Sequence, residues 1–261
     1  MRLRIDHRTT YRYATPLERG LQLVRLFPTR HEGQDIVRWR VLDPRNVELA
    51  PHEDGLGNET ALSETPEGAR EAIIRVEGEV ETRDTGGLLL GTSEPLPPTY
   101  YLRETELTAP DEAIAALARD LGADVIALMH AVRERMDFRV GATDAQTPGA
   151  AALAAGAGVC QDHAHVLASA CRVAGLPARY VSGYLWTGVD VEPASHAWTE
   201  VFFADIGWKG LDPANRAIVG PAYVRLACGL DYAQAAPITG VRAGGGEERL
   251  SVTLGVRAGQ Q

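Results

Sequence analysis

Cysteine is scarce: the 261 residues hold three, at positions 160, 171 and 228. Three scattered thiols cannot build a disulfide framework, so a reducing compartment, the cytoplasm, is the expected setting. Positive charge is also in deficit. Lys plus Arg number 26 against 35 Asp plus Glu, a formal charge of −9 with His neutral. That balance argues against nucleic acid or an anionic membrane as the main partner. No window approaches the roughly 18 consecutive apolar residues that a membrane span needs. The first eight residues alternate charged and apolar side chains without an apolar h-region, so no secretory signal is expected there. Internal repeats and low-complexity tracts are lacking as well. The rest is ordinary for a folded soluble chain, with 45% hydrophobic and 23% charged residues. The length suits one large domain or two of about 100–150 residues.

The first third carries a period of two. Leu3, Ile5, His7, Thr9, Tyr11 and Tyr13 fall on one face, and Arg4, Asp6, Arg8, Thr10 and Arg12 on the other. That alternation predicts a half-buried strand. Similar runs occupy residues 20–28, 36–43 and 72–83. Turn clusters separate them: Asp43-Pro44-Arg45-Asn46, then Glu53 to Asn58, with Asp54-Gly55 and Gly57-Asn58 as hairpin signals. Residues 1–90 therefore read as an antiparallel β-sandwich or half-barrel. Residues 91–104, with Pro95, Pro97 and Pro98, read as a linker. Residues 105–261 are the expected core.

Helical spacing begins after residue 105. Thr108 to Asp111 resembles an N-cap with Pro in the first turn. Ile114, Leu117, Ala118 and Leu121 give one face, ended by Gly122. Val125, Leu128, Met129, Val132 and Met136 give a second amphipathic helix. A short Ala-rich helix starts at Thr147-Pro148 and closes at Gly156-Ala157-Gly158. The next helix spans about 160–174, with an inward stripe of Cys160, Ala164, Leu167, Ala168, Cys171 and Ala174. Gly175 and Pro177 stop it. Strands are expected at 179–186, 196–203 and 207–211, with a hairpin turn at 204–207. Alternation returns at Leu250, Val252, Leu254 and Val256, a last strand for either sheet. Gly244-Gly245-Gly246 reads as a flexible loop.

Cys160 stands at a helix N-terminus, where unpaired N–H groups and the helix dipole favour a thiolate. The preceding glycines would let substrate approach the backbone closely. A nucleophilic thiol needs a base, and His196 opens a strand whose hairpin partner ends at Asp212. Positions 196 and 212 average to 204, inside the expected turn, so the two side chains fall within reach, give or take a residue or two of register. A carboxylate beside an imidazole fixes its tautomer and favours its charged form. Cys160, His196 and Asp212 thus form a candidate nucleophile, base and orienting acid.

Four blocks, in this order, carry a family resemblance: Gly158-Val159-Cys160-Gln161-Asp162-His163-Ala164-His165; Gly175 to Tyr184; Ser195-His196-Ala197-Trp198-Thr199-Glu200-Val201; and Gly207-Trp208 with Leu211-Asp212-Pro213-Ala214-Asn215. They resemble the core of the transglutaminase-like superfamily over about residues 105–240. The N-terminal region resembles the β-rich domain of bacterial members. The resemblance implies an α+β chain: the β-sandwich, then a papain-like core of helices packed on an antiparallel sheet. It also matches Cys160 to the nucleophile, His196 to the base and Asp212 to the acid. Protein-crosslinking members carry calcium loops and an oxyanion-binding Trp upstream of the Cys. Neither has a counterpart here, since no Trp lies between Trp39 and Trp186.

Other residues complete the expectations. Cys160, His163 and His196 could ligate zinc, but no close-spaced second ligand pair accompanies them, and His165 points to another helix face. No metal or cofactor is expected. His163 and His165 are expected to cap or flank the helix start. Asp162 should turn away from the sulfur and support the helix. Cys171 and Cys228 are expected in the core, as is Trp198. Trp208 and Tyr184 suit either a cleft or the core. Arg119, Arg133 and Arg135 read as solvated helix faces. The expected activity is acyl transfer on amide bonds through a thioester, with hydrolysis favoured, amine transfer (transglutamination) as the alternative, and a non-catalytic binding scaffold as the third reading. The expected partner is a peptide or protein substrate. Oligomeric state stays open.

Overall fold

Alternation is realised at once in β1 (Arg2–Tyr13), where Leu3, Ile5, His7 and Thr9 are buried and Arg4, Asp6 and Arg8 face solvent. The computed structural model describes residues 1–188 and 195–259. Five further strands follow: β2 (Leu17–Val24), β3 (Gln34–Leu42), β4 (His52–Glu53), β5 (Glu59–Thr65) and β6 (Glu71–Thr82). After them come α1 (Glu112–Leu121), α2 (Val125–Arg135), β7 (Asp137–Phe138), α3 (Gly149–Ala155), β8 (Ala157–Gly158) and α4 (Cys160–Val173). The chain finishes with β9 (Ala178–Leu185), β10 (His196–Phe203), β11 (Gly207–Asp212), β12 (Ala217–Ile218), β13 (Tyr223–Gly229), α5 (Tyr232–Ala235), β14 (Ile238–Gly244) and β15 (Glu248–Ala258).

Two antiparallel sheets, ordered β15-β1-β6-β3 and β14-β2-β5-β4, share one apolar core. The last two strands belong here. β15 pairs with β1 from Leu3↔Ala258 to Tyr13↔Glu248, and β14 pairs with β2. The 105–261 span drawn from the sequence is corrected at its C-terminal end: residues 238–258 complete the N-terminal sheets. They occupy the open edges of β1 and β2, whose backbone groups would otherwise lack partners. Pairing across that distance leaves no local trace in the sequence. Gly244, Gly245 and Gly246 make the connecting turn, all at positive φ. The turn is tied down, because Arg242 donates to the Gly246 carbonyl at 2.9 Å and Thr15 N–H to that of Gly245 at 3.0 Å.

The core sheet runs β12-β11-β10-β9-β13, all antiparallel. Tyr184, Val224 and Leu226 of this sheet join the N-terminal apolar cluster, so the two halves share side-chain packing. On the other side, α1, α2 and α3 surround α4 through Leu117, Leu128, Val132, Leu153, Val166 and Leu167. The expected single stripe on α4 is too narrow. Every residue from Asp162 to Arg172 is buried, because helices and sheet enclose α4 together. The N-cap of α1 is Asp111, which accepts from the Ile114 N–H at 2.9 Å. Thr108 instead bonds Thr105 in the preceding 3₁₀ turn.

The linker region is docked onto this sheet. Tyr101 is buried edge-on to Trp208, and Glu94 accepts from Arg179 at 2.7 Å. Arg179 and Arg225 both pair with the buried Glu200, at 2.6 and 2.8 Å. Burial pushes the Glu200 pKa up, but the two guanidiniums overcome this and hold it at about 2. The Arg179 guanidinium lies 4.0 Å from the Trp208 ring centroid. Below the site residues, Gly183 pairs with His196 across β9 and β10. A Cβ there would sit 2.1 Å from the Val224 carbonyl oxygen and 2.5 Å from the Trp198 ring. Gly183→Ala is therefore expected to destabilise the protein by about 1–3 kcal/mol through overpacking, read as a lower urea midpoint. An unchanged midpoint would contradict this account of the close approach.

Candidate active site

Cys160 is the first residue of α4, and its side chain is partly exposed. The loop before it is shaped by Asp162. This buried carboxylate accepts from the Val159 N–H at 2.7 Å and the Thr143 hydroxyl at 2.6 Å. It thus supports the helix start, as expected. Two of the preceding glycines have local structural roles. A Cβ on Gly158 would lie 2.6 Å from the Asp162 Oδ2, and Gly156 takes the left-handed C-cap of α3 at φ 66°. The pairing of β7 with β8 then fixes the chain two residues before the thiol.

His196 opens β10. The hairpin register runs from Phe203↔Gly207 to Thr199↔Leu211, so the turn centres on 205 and Asp212 lies level with Trp198. His196 is one pleat further along the same face, and its side chain closes the gap. Its Nε2 lies 2.7 Å from the Asp212 Oδ2. The ring shares the cleft with the Cys160 thiol, whose proximity contributes to raising the imidazole pKa. With Nε2 taken by Asp212, Nδ1 is the atom left for the thiol. Trp198 stacks beside the imidazole at 6.4 Å between centroids.

Asp212 is fully buried, and three further hydrogen bonds hold it. Asn215 Nδ2 donates to its Oδ2 at 2.7 Å, the Tyr223 hydroxyl at 2.8 Å, and the Asn215 N–H donates to Oδ1 at 3.2 Å. Burial raises the carboxyl pKa, but these donors, His196 first, outweigh it and leave the pKa below 3.8. Burial likewise disfavours charge on His196. The hydrogen bond to Asp212, the proximity of Cys160 and the charges of both win, and its pKa rises to about 10.

Cys160 and His196 line a cleft of about 540 Å³, with Phe138, Val140, Tyr180, Tyr232 and Asn215 on its walls, and Asp212 is buried behind His196. Arg133 is there as well. It donates to the Ala214 carbonyl at 3.2 Å and to that of Met136 at 2.8 Å, so it braces the loop carrying Asn215 rather than forming a solvated face. Arg119 meets the expectation, pairing with Glu112 at the surface. Tyr184 and Trp208 are away from the cleft: Tyr184 OH meets His7 Nδ1 at 2.7 Å, and Trp208 lies under Arg179. His163 and His165 are fully buried rather than flanking the helix start. Both ring nitrogens of His163 face carbonyls, of Val159 and Met136. His165 accepts from the Tyr232 N–H at 3.1 Å, and burial lowers its pKa to about 3. Among the described residues no three His, Cys, Asp or Glu side chains form a group that could hold a metal ion. Cys171 and Cys228 are buried, and burial lifts the Cys171 pKa to about 12.

Sequence reasoning missed Asn215, Tyr223 and Tyr180 as site residues. Asn215 had a signal, since an Asp three residues before an Asn across a Pro suits an Asx turn. Tyr223 had none, because it approaches from β13, two strands away from β10.

A helix-tip thiol and a strand-borne imidazole, itself paired with a buried carboxylate, thus share one cleft. Residues 110–213 match the transglutaminase-like superfamily core, and residues 3–81 the bacterial transglutaminase-like N-terminal region. The chain thus carries a transglutaminase-like superfamily core behind a bacterial transglutaminase-like N-terminal region. It is 29% identical to an uncharacterized protein of Mycobacterium leprae over 278 residues, covering 97% of each chain. A Mycobacterium tuberculosis protein is 29% identical over 283 residues, covering 92% of this chain and 87% of that one. The fold is similar to a crystal structure from Cytophaga hutchinsonii, provisionally named a cysteine protease, with a TM-score of 0.77 at 20% identity over all of this chain and 92% of the other.

The two shifted pKa values set a pH dependence. The folded value of His196 lies above its ordinary 6.5, so its stabilising share is complete below pH 6.5 and is lost as pH rises towards about 10. The folded value of Asp212 lies below 3.8, so its share is complete above that pH and is lost as pH falls through the folded value. The stability advantage of the wild type over His196→Gln is expected to be larger at pH 6 than at pH 9 in urea titrations. A gap that widens with pH would contradict the assigned shifts.

Proposed function

We propose that the protein is a cysteine-dependent acyl-transfer enzyme acting on amide bonds of a peptide or protein, with water as the usual acceptor. The observation that carries this reading is the His196 imidazole, paired with the buried Asp212 carboxylate, facing the same cleft as the Cys160 thiol at the N-terminus of α4. The name of the Cytophaga hutchinsonii protein supports the same class of chemistry.

In this reading His196 takes the proton from Cys160, in the resting pair or on attack, and Asp212 orients the ring. The thiolate attacks the carbonyl carbon, forming an S–C bond and moving an electron pair onto oxygen. When the carbonyl reforms, the C–N bond breaks and the leaving amine takes the proton from His196. A thioester remains on Cys160. Water then attacks, giving a proton to His196, and collapse releases the carboxylic acid and restores the resting pair. A primary amine in place of water would give transglutamination through the same thioester. Water is favoured because it needs no binding site, and no sequence feature points to a second amine site.

Two measurements test this. At pH 6, a limiting dose of iodoacetamide should label Cys160 far faster than Cys171 and Cys228, and His196→Ala should abolish that preference. An ordinary thiol, of pKa about 8.5, is almost wholly protonated there. Equal labelling of all three thiols would bring the binding-scaffold reading forward. Given a glutamine-containing peptide and a primary amine, hydrolysis should outpace amine incorporation by mass spectrometry. Faster amine incorporation would make the protein a transglutaminase.

A further inference from the structure

The three residues just described leave the oxyanion without an assigned side-chain donor. Tyr180 is a cleft residue that the mechanism above does not use. Tyr180 lies on β9, packed with Ala164, Ala197 and Ala235 on the α4 side of the sheet, and is 2% exposed. Its ring is fixed between His165, at 5.0 Å between centroids, and Tyr232, at 6.2 Å. The other buried tyrosines of the sheet spend their hydroxyls internally, Tyr184 on His7 and Tyr223 on Asp212. The Tyr180 hydroxyl has no hydrogen-bond partner among the described residues and is not among the enclosed unpaired atoms, so it opens on the cleft that Tyr180 lines with Cys160. A hydroxyl with no partner in the chain and an open path to the cleft is free to donate to a bound substrate.

The phenol is suited to donate without ionising. Burial and then the neighbouring Cys160 push its pKa well above the ordinary value, so it keeps its proton at every working pH. A second donor adjoins it. As the first residue of α4, Cys160 has a backbone N–H with no intrahelical acceptor, while the Val159 carbonyl accepts from the His163 N–H at 3.2 Å.

We propose that the Tyr180 hydroxyl, with the Cys160 backbone N–H, binds the oxyanion formed when the Cys160 thiolate attacks the substrate carbonyl. This rests on the thioester reading. As the S–C bond forms, the carbonyl π electrons move onto oxygen, and Tyr180 donates a hydrogen bond to that oxygen while keeping its proton. When the carbonyl reforms, the charge returns to the breaking C–N bond and the amine leaves with the His196 proton. Tyr180 so supplies from β9 the kind of contact that crosslinking relatives draw from a Trp upstream of the Cys. Because packing fixes the ring before substrate arrives, the donor needs no reorganisation during the step.

The test compares Tyr180→Phe with wild type by two readouts. The first is the p-nitrophenolate burst on acylation by p-nitrophenyl acetate, with Cys160→Ala as background. The second is Cys160 alkylation by iodoacetamide at pH 6, a displacement that forms no oxyanion. Removing one oxygen leaves the ring packing in place, and unchanged alkylation reports an intact site. The expected result is acylation slowed about 10²–10³-fold with the alkylation rate unchanged. Unchanged acylation overturns the proposal. So does an equal fall in both rates, which would place Tyr180 with the thiolate–imidazolium pair. A wild type that alkylates selectively but shows no burst overturns it too. A wild type whose Cys160 alkylates no faster than Cys171 and Cys228 instead removes the thioester reading, and this proposal with it.

Discussion

A carboxylate with no access to water sits at the centre of this structure. Asp212 is fully buried, and an isolated ionised carboxyl in that position would be strongly unfavourable. Asn215 and Tyr223 donate neutral hydrogen bonds to it, and among its partners in the described residues it is His196 that can offer a balancing charge. The need to neutralise Asp212 therefore keeps a proton on the imidazole, and the imidazole in turn is a ready partner for a thiolate. The arrangement of the cleft follows from that chain of dependence. The hairpin holds His196 and Asp212 on one face, Arg133 braces the loop carrying Asn215, and Asp162 fixes the turn that delivers Cys160.

A second buried charge cluster supports the same sheet from its other strands. Glu200 lies four residues from His196 on β10, paired with Arg179 of β9 and Arg225 of β13. Glu94 extends the cluster to the linker, and Trp208 covers Arg179. Breaking one partner of such a cluster leaves an uncompensated buried charge, which disfavours partial rearrangements of β9, β10 and β13. The strand that bears His196 is thus held in register by charge as well as by backbone hydrogen bonds.

The sequence carried most of what is local. The period-two pattern of residues 3–13, the Gly122 and Gly175 stops and the hairpin between 196 and 212 all match the structure, the last with a two-residue change of register. It brought Cys160, His196 and Asp212 together because two of them flank one tight turn and the third begins a helix with a clear amphipathic face. The misses are non-local. β14 and β15 alternate as edge strands of either sheet would, so their partners were open until the pairing itself was seen. Arg133 reads as a surface residue because a loop far along the chain folds over it. His163 and His165 looked like helix-start residues, since nothing in their own segment reveals that α4 is enclosed on all sides.

The pairing of Leu3 with Ala258 orders events during synthesis. At about 5–20 residues per second, a ribosome makes β1 well before β15, so one edge of β1 waits unpaired while the segments between them are made. The helices, the core sheet and every residue of the cleft discussed above precede residue 238 and emerge before that edge is closed. The exposed strand carries Thr9, Thr10 and Tyr11, residue types that favour pairing with other strands. A nascent or clipped chain that stops short of β15 would thus keep its thiol, imidazole and carboxylate while presenting an adhesive edge. For this protein, loss of the final strand is a hazard of aggregation more than of chemistry.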